Sequence, residues 1–449
     1  MTKLSIAAAL LMSACIAQAS ETLSDAFADG KWDGRIRMQY FLTDWEDNGA
    51  TGKNGKDASG AAMGGSILYK TAPFYGFTFG TGLYTTQNAF GITDPEDGVT
   101  ATTSKDLFCR DPQCEYGDGF SVLAQLYLGY DFARTKTKVG RFLTKNPWIT
   151  PNDTKMIPIA VEGIEIISHD LPNTAIQFDY TQKIKERGMS YFDGMATTGD
   201  TPVKIAQHYA GKEDPDVFIL GAKNRSFENI ELQGWVMHWD NLVDQAAIEA
   251  NYATELGDMI LGFGGRFIQQ FDTGAGDIIL PKDNNYDKDN SVDGYLWALK
   301  TTANMGNARL LLSTSHTSDD ADIIAPWRGF PTWEYTRSKT QTDWNAGTTA
   351  YKAQLDFDWN DYINGLSTIL SYSKYDRDET KKPYQSMTNR GYANGDTNQW
   401  NLDIIQKLSG DFKGIELKAR FMDQDNEPTL LYPKQTSNRE MRLEANYRF

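Results

Sequence analysis

Residues Glu440 to Phe449, E-M-R-L-E-A-N-Y-R-F, constrain this chain more than any other stretch. Met441, Leu443, Ala445, Tyr447 and Phe449 share one parity, and Glu440, Arg442, Glu444, Asn446 and Arg448 share the other. Successive side chains of a strand point to opposite faces, so the segment has one apolar and one charged face. A soluble sandwich uses such a strand at an edge. A terminal strand that ends on an aromatic, in a chain with a secretory start, fits the closing strand of a transmembrane β-barrel better. Lipid then meets the apolar face and water the polar one.

The secretory start is residues 1–19. Lys3 is followed by a short apolar run and by the small-residue site Ala17-Gln18-Ala19, the pattern of a cleaved signal peptide. Met12-Ser13-Ala14-Cys15 loosely resembles a lipoprotein processing box, with Cys15 acylated, but Met12 suits that box poorly and a barrel needs no lipid anchor. No later stretch is apolar for long enough to cross a bilayer as a helix. The mean hydropathy of -0.51 does not exclude a membrane protein, because half of each barrel strand faces water. Aromatic content of 12% suits the girdles of a barrel. No linker and no change in texture follows residue 30, which predicts a single domain over residues 20–449. A formal net charge of -16 argues against nucleic acid as a partner. Cys109 and Cys114 lie close together in a polar loop, most simply as a local disulfide in an oxidising compartment.

Alternation like that of the closing strand recurs along the chain. In the first strand Ile36, Met38, Tyr40 and Leu42 oppose Arg35, Arg37 and Gln39. Near the middle Tyr351, Ala353, Leu355, Phe357 and Trp359 oppose Lys352, Gln354, Asp356 and Asp358. About 18 segments of this kind predict an all-β fold, a transmembrane antiparallel β-barrel with an even strand number. Long loops alternate with tight turns, as extracellular loops and periplasmic turns do. All 15 prolines fall between the strands, as the missing N–H of proline requires. No folded segment is expected before Arg35. A closed sheet pairs every backbone N–H and C=O within hydrocarbon. At this strand number the interior is too wide to fill with wall side chains, so it holds water.

Three stretches resemble the OprD-type substrate-specific outer-membrane porins. They are Gly34-Arg35-Ile36-Arg37 with Tyr40-Phe41; Gly140-Arg141, Asn152-Asp153-Thr154-Lys155-Met156-Ile157-Pro158 and Glu162-Gly163; and the strand around Leu355 to Trp359 with Gly365-Leu366. The resemblance implies a monomeric 18-stranded barrel in the bacterial outer membrane. It implies a third extracellular loop, residues 143–161 here, folded into the lumen. It also implies a wall ladder of Arg and Lys that draws in organic acids, amino acids and short peptides. The terminal Phe449 resembles the signal read by the barrel-assembly machinery. The acidic loops and much of the middle of the chain depart from the family pattern.

Parity independently places Arg35, Arg37, Arg266, Lys300, Arg309, Lys352, Lys418, Arg420, Arg442 and Arg448 on the water side, with Glu444. Arg141 falls at the mouth of the inward loop, and Asn152, Asp153 and Lys155 are candidates for its constriction. Rings of Arg and Lys select anions, and Arg grips a carboxylate by two hydrogen bonds. Two plainer readings compete. Wall cations pair with Glu444, Glu416, Asp356 or Asp358, and Asn152-Asp153 is only a turn after Pro151. Trp327, Arg328 and Trp333 form a binding lip or pack a loop.

Other functions fit less well. The acidic run 283–294 fails the Ca²⁺-loop pattern, with Lys288 where the turn glycine belongs. The four histidines, His169, His208, His238 and His316, make no metal spacing, and no cofactor is expected. An outer-membrane enzyme needs a nucleophile and base at one rim, and no Gly-x-Ser-x-Gly elbow is present. A sugar porin would stack aromatics along the lumen, whereas here they fall mostly outward. An adhesive barrel is the remaining alternative. The expected function is a passive diffusion channel for small carboxylate-bearing solutes, with outer-membrane lipid around it.

Overall fold

The structure is a computed structural model. It describes residues 20–46, 57–89, 106–115, 117–199, 201–279, 291–327, 335–339, 344–378, 395–427 and 437–449. The signal segment, Arg328, Trp333 and most of the acidic run 283–294 lie outside these residues.

The first nine strands are β1 (Lys31–Trp45), β2 (Ala58–Lys70), β3 (Phe77–Asn88), β4 (Phe120–Phe132), β5 (Thr135–Phe142), β6 (Ala160–Ser168), β7 (Thr174–Lys185), β8 (Asp193–Gly194) and β9 (Val217–Asn224). Then follow β10 (Ile230–Trp239), β11 (Val243–Leu256), β12 (Met259–Asp272), β13 (Gly294–Met305) and β14 (Ala308–Thr317). The last five are β15 (Thr349–Asp358), β16 (Leu366–Asp376), β17 (Thr397–Lys407), β18 (Ile415–Asn426) and β19 (Asn438–Arg448). Each pairs antiparallel with the next, except that β7 pairs with β9 and carries the two-residue β8 beyond it. Closure comes from β1 and β19, in register from Arg35↔Arg448 to Trp45↔Asn438. The result is the expected 18-stranded closed barrel with one short extra strand.

Alternation explains the two faces. Ile36 and Met38 on β1 stay exposed, on the side that meets lipid, while Arg35, Arg37, Gln39 and Phe41 between them are buried inside. The seam is sealed by Phe449, whose N–H donates to the Gly34 carbonyl at 3.1 Å while the Gly34 N–H donates to the Phe449 carbonyl at 2.9 Å. Its ring lies on Gly34, where a Cβ would come within 2.3 Å of it. A side chain there would have to displace the ring.

Two expectations need correction. A helix, Leu23–Ala28, precedes the first strand, where no folded segment was expected. Thr22 caps it in a reciprocal box with Asp25, and the Ala26 carbonyl accepts from the Ala72 N–H at 2.9 Å in the first turn. The lumen also receives three loop segments rather than one. Residues 143–159 enter as expected, joined by parts of 186–199 and 201–205, of 318–327 and of 335–339. Met195, Ile205, Ile323, Ile324 and Trp327 pack with inward wall residues such as Ile219, Trp239 and Ile268 in one buried apolar cluster. Burying each aliphatic side chain of this size contributes about 1.5–3 kcal/mol, which explains why these loops fold inward. Polar side chains take up their backbone. Gln270 Nε2 donates to the Asp322 carbonyl (3.0 Å), its Oε1 accepts from the Ile324 N–H (2.7 Å), and Gln245 Nε2 donates to the Ile324 carbonyl (2.7 Å).

Candidate functional site

The inward loop is held from the wall by three residues of β1. Inward side chains of a strand recur every second residue, about 6–7 Å apart, so Arg35, Arg37 and Gln39 form a row. Four consecutive loop residues, 153–156, meet that row. Both terminal nitrogens of Arg35 reach the Asp153 carboxylate, one of them at 3.1 Å. Arg35 Nη2 also donates to the Met156 carbonyl at 3.3 Å. Arg37 pairs with Asp153 at 3.2 Å and donates to the Lys155 carbonyl. Its Nε donates to Asn446 Oδ1 at 2.6 Å, and Glu444 lies 3.4 Å away. Gln39 donates to the Thr154 carbonyl at 3.1 Å and to Glu444 at 3.0 Å. Buried charge is tolerated only with partners of this quality.

Of the residues that the sequence proposes for the constriction, Asn152 is half-buried and Lys155 is buried. Asn152 adopts φ +42° and its Oδ1 accepts from Thr154 Oγ1 at 3.1 Å, the turn that Asn after Pro151 favours. The Lys155 side chain is buried, its ammonium 5.3 Å from the centre of the Phe41 ring. From its other side the loop is held by Arg187, which donates to Thr154 Oγ1 at 3.0 Å and pairs with Asp106 at 2.6 Å. Asp106 lies three residues before the Cys109–Cys114 disulfide, whose Cα atoms are 6.0 Å apart.

The ladder residues fall into two groups. Arg35, Arg37, Arg266 and Arg442 have side chains less than a tenth exposed. Arg141, Lys300, Arg309 and Arg420 keep between 25% and 42% of theirs in contact with water. Nearly all are paired. Arg266 meets Glu249 at 2.6 Å, with Lys300 at 3.8 Å from the same carboxylate. Arg309 meets Asp356 at 2.9 Å, Arg420 meets Asp403 at 2.7 Å, and Lys418 meets Glu416 at 2.8 Å. Arg442 pairs with Glu440. Arg141 pairs with Glu162 at 2.8 Å and stacks on Phe192 at 4.4 Å. Lys138, which parity reasoning passed over, pairs with Glu165 at 2.7 Å and is about a third exposed. Its signal was the alternation of Lys136, Lys138 and Gly140 in β5.

A strap of loop, residues 335–339, lies along the same wall. Ser313 Oγ donates to the Tyr335 carbonyl (3.0 Å), Tyr375 Oη to the Thr336 carbonyl (2.8 Å) and Lys352 Nζ to the Arg337 carbonyl (2.8 Å). The Ser338 N–H donates to Tyr375 Oη at 2.9 Å. Tyr335 sits between Arg266, 4.1 Å from its ring, and Lys300, at 4.2 Å. Burial pushes the Tyr335 phenol above its ordinary range, so it stays neutral between the two cations. Trp327 is no lip residue. It is fully buried, edge-on to Trp239 at 4.8 Å, with its indole N–H on the Met195 carbonyl at 3.0 Å.

Over residues 25–449 the chain matches the family described as outer membrane porin, OprD family. Among solved structures, Pseudomonas aeruginosa OccK9 (OpdG) is 16% identical, with a TM-score of 0.74, covering 94% of this chain and 99% of that one. Acinetobacter baumannii OccAB3 is 17% identical, with a TM-score of 0.70 and the same coverage of 94% and 99%. Pseudomonas aeruginosa OpdK with vanillate is 15% identical, with a TM-score of 0.72 and again 94% and 99% coverage. Identity this low shows a shared fold. No sequence among curated proteins matches the chain.

Proposed function

Because this chain belongs to the OprD family of outer-membrane porins, we propose that it passes small carboxylate-bearing solutes: organic acids, amino acids and short peptides. Membership makes it a substrate-specific channel of the bacterial outer membrane, not an enzyme. The carboxylate preference rests on one observation. The part-exposed arginines are only partly used. Arg309 places a single nitrogen on Asp356, and Arg420 places Nε and Nη2 on one oxygen of Asp403. A guanidinium carries five N–H donors, so each retains donors that face water and can receive a second carboxylate. The ligand named with OpdK, vanillate, is itself a carboxylate. On this reading residues 20–449 act as a single monomeric barrel once residues 1–19 are removed.

The test is planar-bilayer recording with a salt gradient and added benzoate. The expected result is a blockade that Arg309→Ala and Arg420→Ala each weaken by about threefold to tenfold, the worth of one charge-assisted contact beside water. A conducting pore that benzoate leaves untouched would remove the carboxylate reading.

A further inference from the structure

The ladder has a gap on β16 and β17. The inward mid-strand residues there are Ser371, Ser373 and Tyr375 on one strand and Gln399, Asn401 and Asp403 on the other. None is basic. The cation at this place comes from the strap instead. Lys339 has a side chain 5% exposed, and its ammonium lies 3.9 Å from Asp403. Among the described residues that ammonium has no hydrogen-bond partner, and neither does Asp403 Oδ1. The other oxygen, Oδ2, is taken by Arg420 Nε at 3.0 Å and Nη2 at 2.7 Å. The charges acting on Lys339 are Arg442 and Glu440 from β19, Arg420 from β18 and Asp403 from β17.

Asp403 is therefore shared between a part-exposed arginine and a buried lysine. We propose that Lys339 is a positioning residue that sets the carboxylate affinity of Arg420 by competing for Asp403, which deepens the carboxylate-channel reading and rests on it. Protonated Lys339 neutralises Asp403 and leaves Arg420 to a passing carboxylate. Neutral Lys339 leaves Asp403 to Arg420 alone. Burial, reinforced by Arg442 and Arg420, brings the Lys339 ammonium down to about 7. Below that value the lysine is charged, the surroundings of Arg420 gain one positive charge, and a carboxylate is held more strongly. Above it the hold weakens.

The full-length protein in planar bilayers tests this with benzoate blockade at about pH 5.5 and about pH 8.5, either side of the lysine midpoint. Benzoate stays ionised at both, so the probe itself does not change. The expected blockade is about threefold to tenfold stronger at the acid value, the effect of one charge across a protein–water boundary. Lys339→Met should hold the weak, alkaline level at both values. Lys339→Arg, which keeps its charge throughout, should hold the strong level at both. A wild-type blockade equal at the two values, or a pH dependence that survives Lys339→Met, would overturn the role of Lys339 and leave the carboxylate channel standing. Conductance with no blockade at either value would overturn the carboxylate reading and this inference with it.

Discussion

On β1, Arg35 and Arg37 are buried, share Asp153 and also donate to carbonyls of the inward loop. On β14 and β18, Arg309 and Arg420 sit at the water, each engaged by one carboxylate and, among the described residues, by no loop. All four occupy inward positions of amphipathic strands. Burial and the count of partners separate them. A buried guanidinium held by a carboxylate and a loop carbonyl at once is a fastener, because loosening it exposes uncompensated charge to a low dielectric. A part-exposed guanidinium with donors to spare is a contact point, because its pair is screened and exchanges readily with a solute.

The largest test of this contrast is Asp153→Ala. It strips both β1 arginines of their shared carboxylate and frees the middle of the inward loop. Stability should fall by about 1–3 kcal/mol, since the carbonyl acceptors remain, read as an earlier heat-induced loss of the folded barrel on gels. Single-channel conductance should rise and become noisier as the loop leaves the passage. Unchanged conductance would mean that residues 153–156 do not narrow the pore.

A finer test compares the same exchange at two sites. Arg35→Lys loses the two-pronged grip on Asp153 and the Met156 carbonyl, which a point-like ammonium cannot reproduce. A loss of about 1–2 kcal/mol is expected. Arg309→Lys keeps its single contact to Asp356 and should change stability by no more than about 0.5 kcal/mol. Equal losses at the two sites would erase the distinction between fastener and contact point.

Much of this architecture is legible in the chain because period-two alternation is local. The strand Ile230–Trp239 is bounded by turn residues that mark its ends, Asn229 at φ +60° and Asn241 at φ +55°. The closing strand is equally plain. Parity also puts the ladder residues inside. It cannot say which are buried, because that depends on loops whose contacts follow no period. Arg266 and Arg309 read alike in sequence, but the strap lays Tyr335 over Arg266. The same limit hid the inward course of residues 318–327, where Ile323-Ile324 and Trp327 gave an apolar signal without a destination. The helix at Leu23–Ala28 did leave a local trace, the Thr22 to Asp25 spacing of a capping box.

The smallest expected effect comes from the outer hold on the inward loop. Cys109 and Cys114 close a loop of sequence separation 5. The polar link from this segment to residues 153–156 runs through Asp106, Arg187 and Thr154, beside apolar packing of Leu107, Phe108 and Cys109 on Met156 and Ile157. Replacing both cysteines by serine should cost about 2 kcal/mol of loop-closure stabilisation, confined to the mouth of the barrel. Residues 153–156 stay fixed by Arg35, Arg37 and Gln39, so conductance and benzoate blockade should match wild type. If the double serine variant instead opened the pore as far as Asp153→Ala does, the inward loop would be positioned from the extracellular side. The β1 row would then be a passive rest for the loop rather than its fastener.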